Sequence, residues 1–280
     1  NFFRIDGILR RKKKSIKNIK SFDEKKFFKK RFDFIYISCP NKFHENYIIK
    51  SLKNGSHVIC EKPFVTRDKK ISEIIELAKK KKKLIFEAFM YLYHPVFKYV
   101  ESLIREKKYG KLRYLISNFR YPSLKKNNNR YKKNEGGGFF YDAASYVISL
   151  ENLIFKDKNK TKIHLQKIKS GVDLRGNIFL KSKEGNRFYF WGEGQNYFNN
   201  VEIFFDNATI YIDKFFSKKK NEVIKANIHA LRKKIITFNK IDQFERMFYS
   251  VQENYNKKSF QKCHIDRIKN QLYLLLKFNI

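Results

Sequence analysis

The residue best placed in this chain to do chemistry is a lysine just past the end of an apolar run. In Val58-Ile59-Cys60-Glu61-Lys62-Pro63 the β-forming residues stop at Cys60, and Lys62 stands two positions beyond. An amine there can offer a proton, or a positive charge, to an oxygen on which negative charge develops. Asp142 and Tyr146 form a second constellation. Their i, i+4 spacing puts both on one face of a helix. An ammonium near a tyrosine hydroxyl favours the phenolate and eases proton transfer.

These groups need elements to position them. Phe34 to Ser38 reads as a short strand closed by Cys39-Pro40-Asn41. A helix over Lys42 to Lys53 ends before Gly55, and His57 to Cys60 is the next strand. Strand, helix, strand is a parallel βαβ unit. Ligands bind beyond the carboxyl ends of such strands, where Ser38 to Asn41 and Glu61 to Pro63 both fall. A helix from Asp68 to about Lys82, capped by Thr66 or Asp68, leads to a strand at Leu84 to Glu87. A helix from Pro95 to about Lys107 is closed by Gly110.

Upstream, Phe3 to Leu9 alternates as a strand, a basic helix follows, and Asp23 is placed to cap another. Downstream the pattern changes to alternating runs. Lys111 to Tyr121 is a strand, Pro122 to Asn134 a polar loop, and Gly136 to Phe155 a glycine-led turn and helix. Strands from Lys162 to about Asp213, with turns at Gly171, Glu184-Gly185 and Asp206-Asn207, predict an antiparallel sheet. Helices near Ile241 to Tyr255 and Ile265 to Phe278 close the chain. The fold class is α/β. An N-terminally incomplete Rossmann-type parallel sheet (1–110) precedes an α+β domain with an open-faced, mainly antiparallel sheet (111–280).

Composition bounds the function. A chain of 280 residues can bury a sizeable core. No apolar run approaches the roughly 20 residues that span a bilayer. Three cysteines, Cys39, Cys60 and Cys263, argue against a disulfide framework and fit a reducing cytoplasm. No cluster has metal-ligand spacing. The net charge of +36 invites a nucleic-acid reading. However, its lysines are spread along the whole chain and far outnumber arginines, which suits a solvated surface better than a phosphate-tracking face. No specific nucleic-acid partner is expected.

The βαβ text resembles a known family. Ser38-Cys39-Pro40-Asn41-Lys42-Phe43-His44 followed by Gly55-Ser56-His57-Val58-Ile59-Cys60-Glu61-Lys62-Pro63 is similar to the glucose-fructose oxidoreductases and inositol dehydrogenases. So are Glu87-Ala88-Phe89-Met90-Tyr91, His94-Pro95, and Gly136-Gly137-Gly138 through Asp142 to Tyr146. The resemblance implies a hydride transfer between a nicotinamide cofactor and a sugar or nucleotide-linked ketosugar. It implies that Lys62 and Tyr146 are catalytic. It implies cofactor contacts from Ser38, Pro40, Asn41, His44, Glu61, Lys62 and Pro63. Substrate would meet Lys62, Tyr91, Arg130, Asp142 and Tyr146. His94 reads as a helix-start packing residue and His57 as structural. Ala144 replaces a glycine usual in the family.

Arg10 and Arg11 follow the strand at Phe3 to Leu9. Relatives that use NAD carry an acid there for the ribose, whereas an arginine accommodates a 2′-phosphate. NADP(H) is therefore expected over NAD(H). The family's opening strand and Gly-x-Gly-x-x-Gly turn are absent from this sequence, whose first fifty residues hold only Gly7. Such turns supply the N–H donors for pyrophosphate. Without them the 280 residues are expected to be a fragment that binds cofactor poorly and associates. A catalytically silent sugar-binding relative is the alternative, and a basic nucleic-acid-associated protein a third reading.

Overall fold

The computed structural model describes residues 3–9, 19–155, 160–167, 171–194 and 196–279. Its first half is built on parallel strands in two pieces. β1 (Ile8–Leu9) pairs with β2 (Ser21–Phe22), while β3 (Phe34–Ile37), β4 (His57–Cys60) and β5 (Ile85–Glu87) form a separate three-stranded sheet in that order. The strand expected over Phe3 to Leu9 is thus only two residues long. Phe3 instead packs edge-on against Phe34, with ring centres 5.1 Å apart, and against Phe248. Arg10, Arg11 and most of the expected basic helix lie outside the described residues.

β4 is buried along its whole length, as a central parallel strand covered on both faces must be. α1 (Glu24–Lys29) is capped by Asp23, whose carboxylate accepts from Lys26 N at 2.8 Å. α2 (His44–Lys53) crosses from β3 to β4 and ends at Gly55, which has φ +87°. α3 (Ile71–Lys80) begins later than the sequence predicts. Asp68 accepts from Ile71 N through its backbone carbonyl in a turn, and Lys70 takes the cap position without a side-chain hydrogen bond. Ile74, Ile75 and Ala78 turn its apolar face to the core. α4 (Pro95–Arg105) starts at His94, whose Nδ1 accepts from Val96 N.

The second half is an eight-stranded sheet. Its strands are β6 (Leu112–Tyr121), β7 (Lys160–Lys167), β8 (Asp173–Lys181), β9 (Asn186–Glu193), β10 (Phe198–Phe205), β11 (Thr209–Asp213), β12 (Ile224–His229) and β13 (Lys233–Phe238). They run in the order β13-β12-β11-β10-β6-β9-β8-β7, antiparallel except for the β6/β9 pair. Alternation sorts the faces. Leu115, Ile178, Tyr189, Trp191, Val201, Ile203 and Ile210 point into the core, and α5 (Ser145–Ile154) packs there. Each such large apolar side chain contributes about 1.5–3 kcal/mol. The other face shows Tyr114 and Phe198 to solvent and leaves Phe179, Phe188, Phe190 and Phe204 partly exposed.

One ion pair lies in this core. Arg187 and Glu151 meet at 3.0 and 2.8 Å, both almost fully buried, and Tyr189 donates to the same carboxylate at 2.9 Å. α6 (Gln243–Asn254) is capped by Asp242. α7 (Lys258–Phe278) begins seven residues before the expected Ile265. Its Ile268 and Leu272 join the core of β3, β4, α2 and α3, whereas Leu275 and Phe278 join the core under the large sheet.

Candidate active site

The site forms where the turn after β4 meets the start of α5. Glu61 N extends the β3/β4 ladder by bonding Ile37 O at 2.9 Å, so Lys62 emerges directly from the sheet's carboxyl edge. The neighbouring turn, Ser38 to Asn41, leaves β3 beside it and leads through a 3₁₀ turn at Asn41–Phe43 into α2. His44 ties the two turns together. Its Nδ1 lies 2.9 Å from Pro63 O and its Nε2 2.9 Å from Cys39 O. Burial lowers the His44 pKa against the raising effect of those carbonyls. The Lys62–Pro63 bond is cis.

Lys62 Nζ donates to the Asp142 carbonyl at 2.5 Å and to Asp142 Oδ1 at 3.0 Å. Only 9% of the lysine side chain is exposed. Asp142 is also gripped by Arg130, through Nε at 2.6 Å and Nη2 at 3.1 Å, and by the Tyr121 hydroxyl at 2.7 Å. Burial works to raise the Asp142 pKa. The Lys62 and Arg130 charges and the Tyr121 hydrogen bond outweigh it and hold the carboxyl well below the usual range.

Local sequence explains the delivery of Asp142. Asn128 caps a 3₁₀ turn at Asn129–Tyr131 by accepting from Arg130 N, which aims the guanidinium. Gly138 N then bonds Arg130 O at 2.9 Å, and a Cβ on Gly137 would lie 2.6 Å from that same carbonyl. The chain can fold this closely only on glycine. The expected continuous helix opens instead as a π turn over Phe140–Ala144, whose first N–H is accepted by Asp173 of β8 at 2.6 Å. α5 starts at Ser145 and carries Tyr146 to the same lysine.

Tyr146 meets Lys62 by its ring. Nζ sits 4.3 Å from the ring centre, a cation–π contact, and Phe119 stacks 4.7 Å behind. The Tyr146 hydroxyl donates to Met90 Sδ at 3.5 Å. Its pKa is raised well above the ordinary value by burial, with the Glu61 and Asp142 charges adding to it. The lowered phenol expected from the lysine's proximity is therefore corrected in this conformation. Tyr91, expected at the substrate, is fully buried beneath, and its hydroxyl is 2.6 Å from Ser149 Oγ.

Of the residues singled out from sequence, Lys62, Arg130, Asp142 and Tyr146 come together. Ser38, Pro40, Asn41, His44, Glu61 and Pro63 lie on the two adjoining turns or at the start of α2, and Arg10 and Arg11 are outside the described residues. Tyr121, Tyr36 and Glu87 were not singled out. Tyr36 donates a short hydrogen bond to Glu61, and Glu87 accepts from Phe64 N at 2.8 Å. Tyr36 sits one strand repeat from Phe34, which signals a shared face. Glu87 ends an otherwise apolar strand, a signal of a buried polar role. Among the described residues no group of three or more His, Cys, Asp or Glu could hold a metal ion. No helix there is long and apolar enough to cross a membrane.

A parallel βα sheet presenting a lysine, joined to a large sheet whose covering π turn and helix bring an aspartate and a tyrosine to it, defines a class of two-part α/β protein. Two family models confirm it: the oxidoreductase family with NAD-binding Rossmann fold matches residues 4–89, and the GFO/IDH/MocA C-terminal domain matches residues 97–211. The chain belongs to the GFO/IDH/MocA oxidoreductase family. It is 26% identical over 194 residues to dTDP-3,4-didehydro-2,6-dideoxy-alpha-D-glucose 3-reductase of Saccharopolyspora spinosa, covering 66% of this chain and 57% of that one. It is 25% identical over 199 residues to scyllo-inositol 2-dehydrogenase (NADP(+)) of Bacillus subtilis (strain 168), covering 69% and 60%. The chain thus spans less than two thirds of the length of these relatives. The fold matches a 3-ketoreductase from Actinomadura kijaniata in complex with NADP and TDP-benzene, with a TM-score of 0.83 at 20% identity over 91% of this chain and 81% of that one.

Proposed function

We propose that this chain acts as an NADP(H)-dependent oxidoreductase on a sugar or nucleotide-linked ketosugar. The observation that carries the reading is the convergence of Lys62, Asp142 and Tyr146 at the carboxyl edge of a parallel sheet. The names of the relatives support the substrate class: one reduces a dTDP-linked keto sugar, the other is an NADP(+) inositol dehydrogenase. Variants of the Actinomadura ketoreductase have been solved with a lysine or a tyrosine replaced. Those two positions lie as far apart in its chain as Tyr146 lies from Lys62.

A bound nicotinamide would supply or accept the hydride. The two turns tied by His44 fit its nicotinamide end, with Ser38, Pro40, Asn41 and Glu61 to Pro63 as the lining. A glycine-rich turn for the pyrophosphate is not found among the described residues. The chain's own groups do the rest. Asp142 fixes the Lys62 ammonium, and Arg130 and Tyr121 fix Asp142. Lys62 Nζ then gives a proton to the substrate oxygen as charge grows on it, or takes one in the reverse direction. Arg130, 42% exposed, and Asp142 are the groups that hydroxyls of a sugar would meet. The partly exposed aromatic face of the large sheet suits a second copy of the chain, so a homo-oligomer belongs to the proposal.

The test is NADPH consumption with a panel of dTDP-linked ketosugars, inositols and aldoses. Turnover of one class, lost in Lys62→Ala, supports the reading. Saturable sugar binding without any cofactor consumption favours the silent relative.

A further inference from the structure

We propose that Glu87 is the positioning residue behind Lys62: held as a neutral carboxyl, it locks the Lys62-Pro63-Phe64 turn and shares its proton with a single water toward Asn152. This rests on the reading of Lys62 as the working amine. Glu87 ends β5 and is less than a tenth exposed. Its Oε1 takes the Phe64 N–H, two residues past Lys62, and Ala88 N closes the same corner on Cys60 O at 2.8 Å. The lysine's turn is therefore held from behind by this carboxyl group, and from the other side by His44 on Pro63 O.

Glu87 also lines a small, largely enclosed cavity with Ser149 and Asn152 of α5 and His264 and Arg267 of α7. About 10 Å³ is open there to the centre of a water, room for one molecule. Asn152 Nδ2 is fixed by Arg267 O at 3.0 Å and Gln271 Oε1 at 3.3 Å, so the amide cannot flip without loss. Its Oδ1 is buried with no partner among the described residues. A water donating to that oxygen can accept from a protonated Glu87, satisfying both.

The charged and titratable groups facing Glu87 are Lys62 and Cys60 from β4 and its turn, Tyr91 and Tyr93 from the turn after β5, and His264 and Arg267 from α7. Burial raises the Glu87 pKa to about 8, against the lowering effects of Phe64 N–H and the Lys62 charge. Loss of the proton would put a negative charge behind Lys62 and make its amine a poorer nucleophile.

The experiment reads the two side chains directly, so a failed reductase assay would leave it standing. Carboxyl-labelled glutamate NMR should show one resonance titrating near 8, absent from Glu87→Gln. In parallel, acetylation of Lys62 is followed by peptide mass spectrometry across pH, with exposed Lys225 as reference. The wild-type to Glu87→Gln ratio of Lys62 labelling should fall by about threefold or more as pH passes the Glu87 midpoint, while the Lys225 ratio stays flat. Glutamates that all titrate in the ordinary range overturn the proposal even should the variant not fold, and superimposable Lys62 profiles overturn it equally.

Discussion

Lys62 lies on the face of Tyr146, not at its hydroxyl: Nζ is 4.3 Å from the ring centre, while the hydroxyl turns to Met90. The ring is therefore a platform that holds the ammonium over Asp142. Tyr146→Phe keeps that platform, and Lys62→Ala removes the amine proposed as the proton donor. Lys62→Ala should lower kcat by roughly 10²–10⁴, with a much smaller effect on cofactor affinity. Tyr146→Phe should cost less than Lys62→Ala. Steady-state kinetics of the two variants checks the order, and the reverse order would return the hydroxyl to the chemistry.

Asp142 ties charge to stability. Its folded pKa is depressed, so the stability it adds is full above the ordinary aspartate value and drains away as pH falls through the lowered one. The gap in unfolding free energy between wild type and Asp142→Asn should therefore narrow on acidification from about pH 6 to about pH 3. Urea titrations at several pH values measure it. A gap that widens in acid would contradict the depressed value.

Glu151 anchors the core rather than the site. Glu151→Ala leaves the buried Arg187 guanidinium without its carboxylate, and should destabilise by about 3–5 kcal/mol. Thermal unfolding against wild type, with Lys62→Ala as a site control, reads the loss. A change within error would mean that water reaches Arg187.

The preference for NADP(H) is expected to rest on Arg10 and Arg11, which follow β1 in the sequence. Arg10→Asp should move preference from NADP(H) toward NAD(H), read as the ratio of kcat/KM for the two. The 280 residues themselves, with the β1–β2 pair separate from β3–β5, should bind NADPH weakly. Calorimetry showing micromolar binding by a monodisperse sample would mean that another turn, such as Ser38 to Asn41, holds the phosphates.

Much of this architecture is legible because it depends on local pattern. The βαβ unit follows from β-formers, Gly55 and helical spacing, and Asp23 caps as its type predicts. The i, i+4 spacing of Asp142 and Tyr146 is legible in the sequence, but their meeting with Lys62 is legible only through the resemblance to the family. The π turn at Phe140–Ala144 is not, since it depends on Asp173 approaching from β8. Nor is the ring-face seat of Lys62, which is set by Phe119 stacking behind Tyr146. The late start of α3 and the early start of α7 are boundary effects decided by turns and packing, which propensity does not resolve.

α7 places Ile268 and Leu272 in the core of the first half, although that half's last strand ends at Glu87. On the ribosome, the parallel sheet must wait for the chain from Glu87 to Ile268 to be made, on the order of ten to forty seconds at ordinary synthesis rates. During that interval the face of β5 that α7 will cover stays open to chaperones. The first half is therefore finished by a helix made long after its own strands, and the order of synthesis runs against the order of the fold.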